Sequence, residues 1–212
     1  MCKKAISLTA KLLVFALSLI GVISSLNAPV GSIVEGKYAI LYFTIQSNIW
    51  IGLTCLITGI LLIIEMATGK SLFKRYTFIV KQVFTVAITV TGLVYCFVLA
   101  PFLSSSEWTI ANVLTHILVP VLSVFDYFYF DARECKLYKR HAFYATVPPT
   151  IYVVFTTIGY FTGLKFGDGI NYPYFFLNWG SPAGAIGFSN KAPYLGVVYF
   201  IILLAGLVIG LS

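Results

Sequence analysis

Two side chains that can do nucleophilic and acid–base chemistry lie inside long apolar stretches of this sequence. Thr44 occurs in the run Phe43-Thr-Ile-Gln-Ser-Asn48, and His116 occurs in the run Leu114-Thr-His-Ile-Leu-Val-Pro120. Polar groups in such stretches are costly and usually face a bundle interior or a cavity. A threonine hydroxyl is a weak nucleophile that needs a neighbouring base, and neutral imidazole suits that role near pH 7. The sequence therefore raises the hypothesis of a Thr–His pair.

Both residues have polar neighbours at helical spacing. Positions three and four apart share one side of a helix, so Thr44, Ser47 and Asn48 form one patch, and Asn112 lies one turn before His116. Lipid-facing surfaces rarely carry such groups, so both patches should point into the protein. Attack on an ester carbonyl produces an oxyanion that needs positioned donors. The candidates for substrate or oxyanion binding are Ser47, Asn48, Asn112 and Tyr172.

A structural role for these residues is the alternative, and composition alone favours it. Thr, Ser and Asn commonly hydrogen-bond between membrane helices, and a buried His can do the same. Asp126 is ten residues from His116, about 15 Å along a helix axis. That distance is too great for Asp126 to orient the imidazole, so no Ser/His/Asp triad is visible.

The composition predicts an integral membrane protein. Of the 212 residues, 59% are hydrophobic and only 10% are charged, whereas soluble domains carry about 25% charged residues. Several apolar stretches reach the roughly 20 residues that a spanning helix needs. Because lipid offers no partner for unpaired backbone groups, we predict an all-α, polytopic six-transmembrane-helix bundle.

One transmembrane domain over residues 1–212 should contain all six spans. The spans cover about 5–26, 37–68, 76–102, 107–130, 142–163 and 192–212. The first also resembles a secretory signal peptide, but its apolar stretch is longer than usual, which favours a retained helix. Pro148 and Pro149 should kink the fifth span. The segment 163–191, rich in Gly, Pro and aromatic residues, is predicted as a long outer loop, either a lid or a plain interfacial loop.

The basic residues indicate orientation rather than nucleic-acid binding. The net charge is +7, and eleven of the fourteen Lys and Arg residues lie near the N-terminus or after the second and fourth spans. Because Lys and Arg are retained on the cytoplasmic side, both termini are predicted to be cytoplasmic. The eleven residues are Lys3, Lys4, Lys11, Lys70, Lys74, Arg75, Lys81, Arg133, Lys136, Lys139 and Arg140.

This topology brings the two reactive side chains to a similar depth. At 1.5 Å per residue, Thr44 should lie about 10 Å below Lys37, and His116 about 13 Å below Glu107. Both would then lie in the outer half of the membrane.

The remaining polar residues indicate ion pairs and no cofactor. Glu65 and Asp126 should lie near cytoplasmic ends, where Lys70, Arg75 or Arg133 can pair with them. No metal is expected, because one intramembrane histidine without carboxylate or thiol neighbours cannot complete a coordination shell. The glycines do not form a phosphate-binding loop.

The order of these motifs resembles the animal membrane hydrolases called androgen-induced and androgen-dependent TFPI-regulating proteins, together with bacterial six-span relatives. The matching pieces are Phe43-Thr-Ile-Gln-Ser-Asn48, His116-Ile-Leu-Val-Pro120 and Tyr172-Pro-Tyr-Phe175. The resemblance implies an intramembrane hydrolase of fatty-acid esters in a bacterial plasma membrane, acting on membrane lipids or lipid-like esters. It implies Thr44 as nucleophile and His116 as general base. Ser47 stands where the animal members carry an acidic residue.

Two other functions stay open. In a small transporter or channel, His116, Gln46, Asn48 and the threonines of the third span would line a polar path, although no inverted repeat of the transporter type is evident. In a non-catalytic scaffold, Thr44 and His116 would matter only for stability.

Overall fold

The computed structural model describes residues 2–29, 34–102, 108–132 and 141–212, and this part of the chain is helical, without β-strands. The α-helices are α1 (Cys2–Leu26), α2 (Gly36–Ala39), α3 (Phe43–Thr68), α4 (Arg75–Val94), α5 (Ile110–Val113), α6 (Val119–Asp126), α7 (Ala142–Ala145), α8 (Val147–Thr162) and α9 (Val197–Leu211). The π-helical segments are Tyr95–Leu99, Leu114–Leu118 and Tyr127–Asp131, and the 3-10 turns are Ala100–Phe102 and Phe175–Leu177.

Four helical stretches in the described part are long and apolar enough to cross a membrane. They are Cys2–Leu26, Phe43–Thr68, Arg75–Phe102 and Ile110–Asp131. The helical prediction is therefore confirmed for the described residues, and these four stretches have the length and composition of the spans of an integral membrane protein. The last two predicted spans correspond to shorter helices, since α8 has 16 residues and α9 has 15.

Two predicted spans are interrupted near their starts. The second was predicted from residue 37, but α3 begins at Phe43, because Tyr42 has extended backbone angles (φ −90°, ψ 138°). Thr44 therefore lies in the first turn of α3, and the depth counted along a continuous helix from Lys37 does not apply. The fifth span is broken at Thr146 between α7 and α8.

The outer loop predicted over 163–191 is organised by short-range contacts rather than by regular structure. Isolated β-bridges join Gly167 to Ile170 and Phe188 to Leu195, and the 3-10 turn Phe175–Leu177 lies between them. Two further predictions, the start of the fourth span at residue 107 and the basic cluster from Arg133 to Arg140, lie outside the described residues.

A layer of apolar side chains joins the long helices at their middle. Val14 of α1, Ile51 of α3, Ile88 of α4 and Val119 of α6 are each 0% exposed and contact one another in one cluster. The stretch Ile110–Asp131 is here called the fourth long helix. On α3, α4 and this helix, the apolar layer lies between the polar residues near Thr44 and His116 on one side and buried charged or thiol groups on the other.

The buried charges form a network that the sequence did not predict. Lys11 of α1 pairs with Asp126 at 2.9 Å and with Asp131 at 3.0 Å, and Lys81 of α4 pairs with Asp126 at 2.7 Å. The side chains of Lys11 and Lys81 are 1% exposed, and that of Asp126 is 0% exposed. The network ties α1, α4 and the fourth long helix together, so α1 is an integral part of the fold.

The structure gives the two acidic residues partners that the sequence did not predict. Asp126 pairs with Lys11 and Lys81, and Glu65 pairs with Lys4 at 3.0 Å. Arg133, one of the predicted partners, lies outside the described residues. The physical reason is that a carboxylate inside a membrane helix needs partners at its own depth. Lys11 of α1 and Lys81 of α4, on neighbouring helices, reach the depth of Asp126.

We expect Asp126→Asn to destabilise the protein by about 3–5 kcal/mol, because two buried ammonium groups lose their shared carboxylate. The free energy of unfolding is to be measured in mixed detergent micelles. The matched control is Glu65→Gln, which breaks the partly exposed Lys4 pair and should cost about 0–1 kcal/mol. Equal losses in the two variants would contradict the role assigned to the network.

Candidate active site

The structure brings the hydroxyl of Thr44 and the imidazole of His116 together. Thr44 Oγ1 lies 3.1 Å from His116 Nε2, and each residue is 8% exposed. Thr44 is in the first turn of α3, and His116 is in the π-helical segment Leu114–Leu118. This distance is the hydrogen-bond contact that a nucleophile and its base require.

Backbone and hydroxyl groups determine which imidazole nitrogen carries the proton. His116 Nδ1 lies 3.1 Å from the carbonyl oxygen of Asn112, and a carbonyl can only accept, so Nδ1 is the donor. Nδ1 also lies 3.1 Å from Thr115 Oγ1, whose own hydroxyl donates to the carbonyl of Ala111 at 2.8 Å. Nε2 is then unprotonated and accepts the hydrogen of the Thr44 hydroxyl. The orienting group is therefore a main-chain carbonyl.

Asn48 links α3 to the fourth long helix beside the pair. In the π-helical segment the N–H of Val119 donates to Leu114, five residues earlier, so the carbonyl of Thr115 loses its usual α-helical donor. Asn48 Nδ2 donates to that carbonyl at 3.1 Å and to the carbonyl of Thr44 at 2.8 Å. Both amide hydrogens are therefore used, and Asn48 positions the two elements rather than serving as an oxyanion donor.

The other residues predicted to bind substrate or the oxyanion also have contacts that differ from expectation. The fully buried Ser47 hydroxyl bonds the Thr44 carbonyl at 3.1 Å and Thr91 Oγ1 at 2.8 Å, which ties α3 to α4. Asn112 contributes its main-chain carbonyl to the site. The tyrosine whose hydroxyl approaches Thr44 Oγ1, at 3.5 Å, is Tyr174 rather than Tyr172. Both tyrosines belong to one short motif, so the sequence located the segment but not the residue.

The Tyr174 hydroxyl and the start of α3 meet at Thr44. The Tyr174 hydroxyl lies beside Thr44 Oγ1 in the first turn of α3, and the first N–H groups of a helix have no acceptor within it. Tyr174 is held in place by an edge contact with Tyr42 (5.6 Å between ring centroids) and by stacking on Phe176 (5.2 Å). Hydroxyl and amide donors at the positive end of a helix can stabilise an oxyanion.

Two residues that sequence reasoning missed fix the imidazole from the side of α4. The ring of Tyr95 stacks on His116, with 3.9 Å between centroids and 22° between planes. A Cβ atom on Gly92 would lie 3.0 Å from the carbonyl oxygen of His116 and 3.0 Å from Pro120. The glycine therefore allows α4 to approach closely, and the sequence signal for it was only a glycine inside an apolar helix.

The outer loop is attached to the segment that leads into α3. Tyr42 donates a hydrogen bond to the carbonyl of Phe166 at 2.9 Å. Asp168 accepts from Tyr38 at 3.0 Å and from Lys37 at 3.2 Å, and these hydrogen bonds lower the pKa of the Asp168 carboxyl. These contacts hold the loop, and with it Tyr174, over Thr44.

Fold and site together define a helical integral membrane protein with a buried threonine–histidine pair near one end of its helices. Compared with protein-family models, with curated proteins and with solved structures, the chain matches none of them. Within the described ranges no group of three or more His, Cys, Asp or Glu side chains could hold a metal ion. The geometry of the pair is therefore the basis for assigning a function.

We expect His116 at neutral pH to be protonated at Nδ1 and not at Nε2, because the Asn112 carbonyl accepts from Nδ1. Nitrogen chemical shifts of ¹⁵N-histidine-labelled protein would show the tautomer, and His141→Gln leaves His116 as the single histidine of the chain. Thr44→Val should leave the tautomer unchanged. Protonation at Nε2 would contradict the assigned hydrogen bonding.

Proposed function

We propose that the protein is an intramembrane hydrolase of lipid (fatty-acid) esters, with Thr44 as nucleophile and His116 as general base. The observation that carries the proposal is the 3.1 Å contact between Thr44 Oγ1 and His116 Nε2, with Nδ1 held by a main-chain carbonyl. The proposal agrees with the resemblance of the motifs to the androgen-induced and androgen-dependent TFPI-regulating hydrolases.

The geometry supports a two-step mechanism. Thr44 Oγ1 attacks the ester carbonyl while His116 Nε2 takes the hydroxyl proton. The oxyanion of the tetrahedral intermediate is stabilised by the Tyr174 hydroxyl and by the first N–H groups of α3. His116 returns the proton to the leaving alcohol, which leaves the acyl group on Thr44. Water, deprotonated by His116, then attacks the acyl-threonine. His116 returns that proton to Thr44 Oγ1 as the acyl bond breaks, which releases the fatty acid and restores the hydroxyl.

The proposal includes six spans with both termini in the cytoplasm of a bacterium. α8 and α9 serve as the fifth and sixth spans. At 1.5 Å per residue they are about 24 and 22 Å long, and a short span is accommodated by local thinning of the bilayer. Removing the buried Lys11 and Lys81 from the eleven inner basic residues leaves nine against three, so the charge bias persists. Thr44 and His116 then lie near the outer face.

The apolar layer argues against the transporter or channel alternative. Val14, Ile51, Ile88 and Val119 are each 0% exposed. They interrupt any polar path between the Thr–His site and the buried ion pairs. Activity measurements distinguish the hydrolase from the remaining alternative, a non-catalytic scaffold.

We expect Thr44→Ala and His116→Ala each to reduce kcat/KM for a fatty-acid ester by about 10³-fold or more. The protein is to be assayed in detergent and in lipid nanodiscs. The matched control is Thr54→Ala, since Thr54 is a buried α3 threonine whose hydroxyl donates to the Trp50 carbonyl of its own helix at 2.7 Å. A fluorophosphonate probe should label Thr44. Activity that survives both substitutions would eliminate the mechanism.

We expect Tyr174→Phe to lower kcat by about 10- to 100-fold with little change in KM, because the hydroxyl acts on the oxyanion rather than on bound substrate. Tyr172→Phe is the matched control and should retain activity. A larger loss in Tyr172→Phe than in Tyr174→Phe would reverse the assignment of the donor.

A further inference from the structure

An apolar cavity of about 50 Å³ adjoins Thr44. Its walls come from α4, α8 and α9, and the outer loop closes it near Tyr174. The residues that define these walls are Val90 and Val94 on α4, Pro149 and Val153 on α8, and Leu204 on α9. Apart from Thr44, Thr91 and the tyrosine hydroxyls, the lining is hydrophobic.

The cavity extends along the helices and away from the end where Thr44 lies. Val94 and Val90 are one turn apart on α4, a rise of about 6 Å, and Leu204 is about 10 Å along α9 from its first residue. In the proposed topology this direction leads from the outer interface towards the middle of the bilayer. A membrane ester has the same arrangement, with its carbonyl near the interface and its acyl chain pointing inward.

The lipid side of the cavity is bounded by a peripheral helix. Only two residues of α9, Val197 and Val208, are buried, and its residues Ile202 and Leu203 are 61% and 59% exposed. The opposite, outer side is covered by Tyr174 and the loop that carries it. Access from the bilayer therefore requires only the separation of α9 from α4 and α8.

We propose that the seam between α4, α8 and α9 is an acyl-chain site through which a long-chain ester reaches Thr44 from the bilayer. The proposal rests on the hydrolase function above. A cavity of about 50 Å³ holds roughly two water-sized groups, so the rest of a long chain must lie in the seam. Val153 and Leu204 line this route and select for chain length.

The test compares a long-chain and a short-chain ester, p-nitrophenyl palmitate and p-nitrophenyl butyrate. Val153→Trp and Leu204→Trp should lower kcat/KM for the palmitate about tenfold or more and change the value for the butyrate less than about twofold. The matched controls are Val154→Trp and Leu203→Trp, whose parent side chains are 52% and 59% exposed. They should leave both values unchanged.

The seam is ruled out if Val153→Trp and Leu204→Trp leave palmitate hydrolysis unchanged. It is also ruled out if these variants stay folded and lower kcat/KM equally for the palmitate and the butyrate. Should a Trp variant not fold, Leu204→Phe provides the same steric test with less added volume.

A binding measurement separates this inference from the hydrolase function. If the wild type hydrolyses neither ester, the proposed function fails, and a diazirine-tagged palmitic acid in nanodiscs then tests the seam directly. Crosslinks to Val90, Val153 or Leu204 would support the acyl-chain site. Crosslinks confined to exposed side chains would overturn it.

Discussion

The network of Lys11, Lys81, Asp126 and Asp131 is the interaction on which the arrangement of the long helices depends. A charge without a partner inside a bilayer costs several kcal/mol, so the helices that carry these residues must align their charges. Asp126 lies on the same long helix as His116, ten residues further on. The ion pairs that fix Asp126 against α1 and α4 therefore also set the position of His116 along the helix axis relative to α1 and α4.

The site itself is assembled largely from main-chain groups. The carbonyl of Asn112 sets the tautomer of His116, and the carbonyls of Thr44 and Thr115 receive the two hydrogens of the Asn48 amide. The π-helical turn makes the Thr115 carbonyl available, and the proline at position 120 provides no N–H for the carbonyl of His116. Irregular helix geometry thus supplies the acceptors that hold a reactive pair in an apolar environment.

Separation of two polar regions by an apolar layer gives the molecule distinct halves. One half contains the Thr–His pair beneath the outer loop, and the other contains the buried ion pairs of Lys11 and Lys81 with Asp126 and Asp131. In the proposed function, this division places the chemistry at one membrane face and lets the substrate arrive from the lipid. It also explains why so many polar residues occur in a membrane protein without forming a continuous path.

Composition and periodicity by themselves determined the helical membrane class and drew attention to Thr44 and His116, because a polar residue inside a long apolar run is visible locally. They also located the loop motif that carries Tyr174. Only the tertiary structure decided that Tyr174 rather than Tyr172 reaches Thr44, and that Lys11 and Lys81 are buried partners of Asp126 rather than loop charges. It alone decided that both amide hydrogens of Asn48 are already engaged. These outcomes depend on which helices pack together and on where the backbone departs from α-helical geometry, and neither property is encoded in the spacing of residues along one helix.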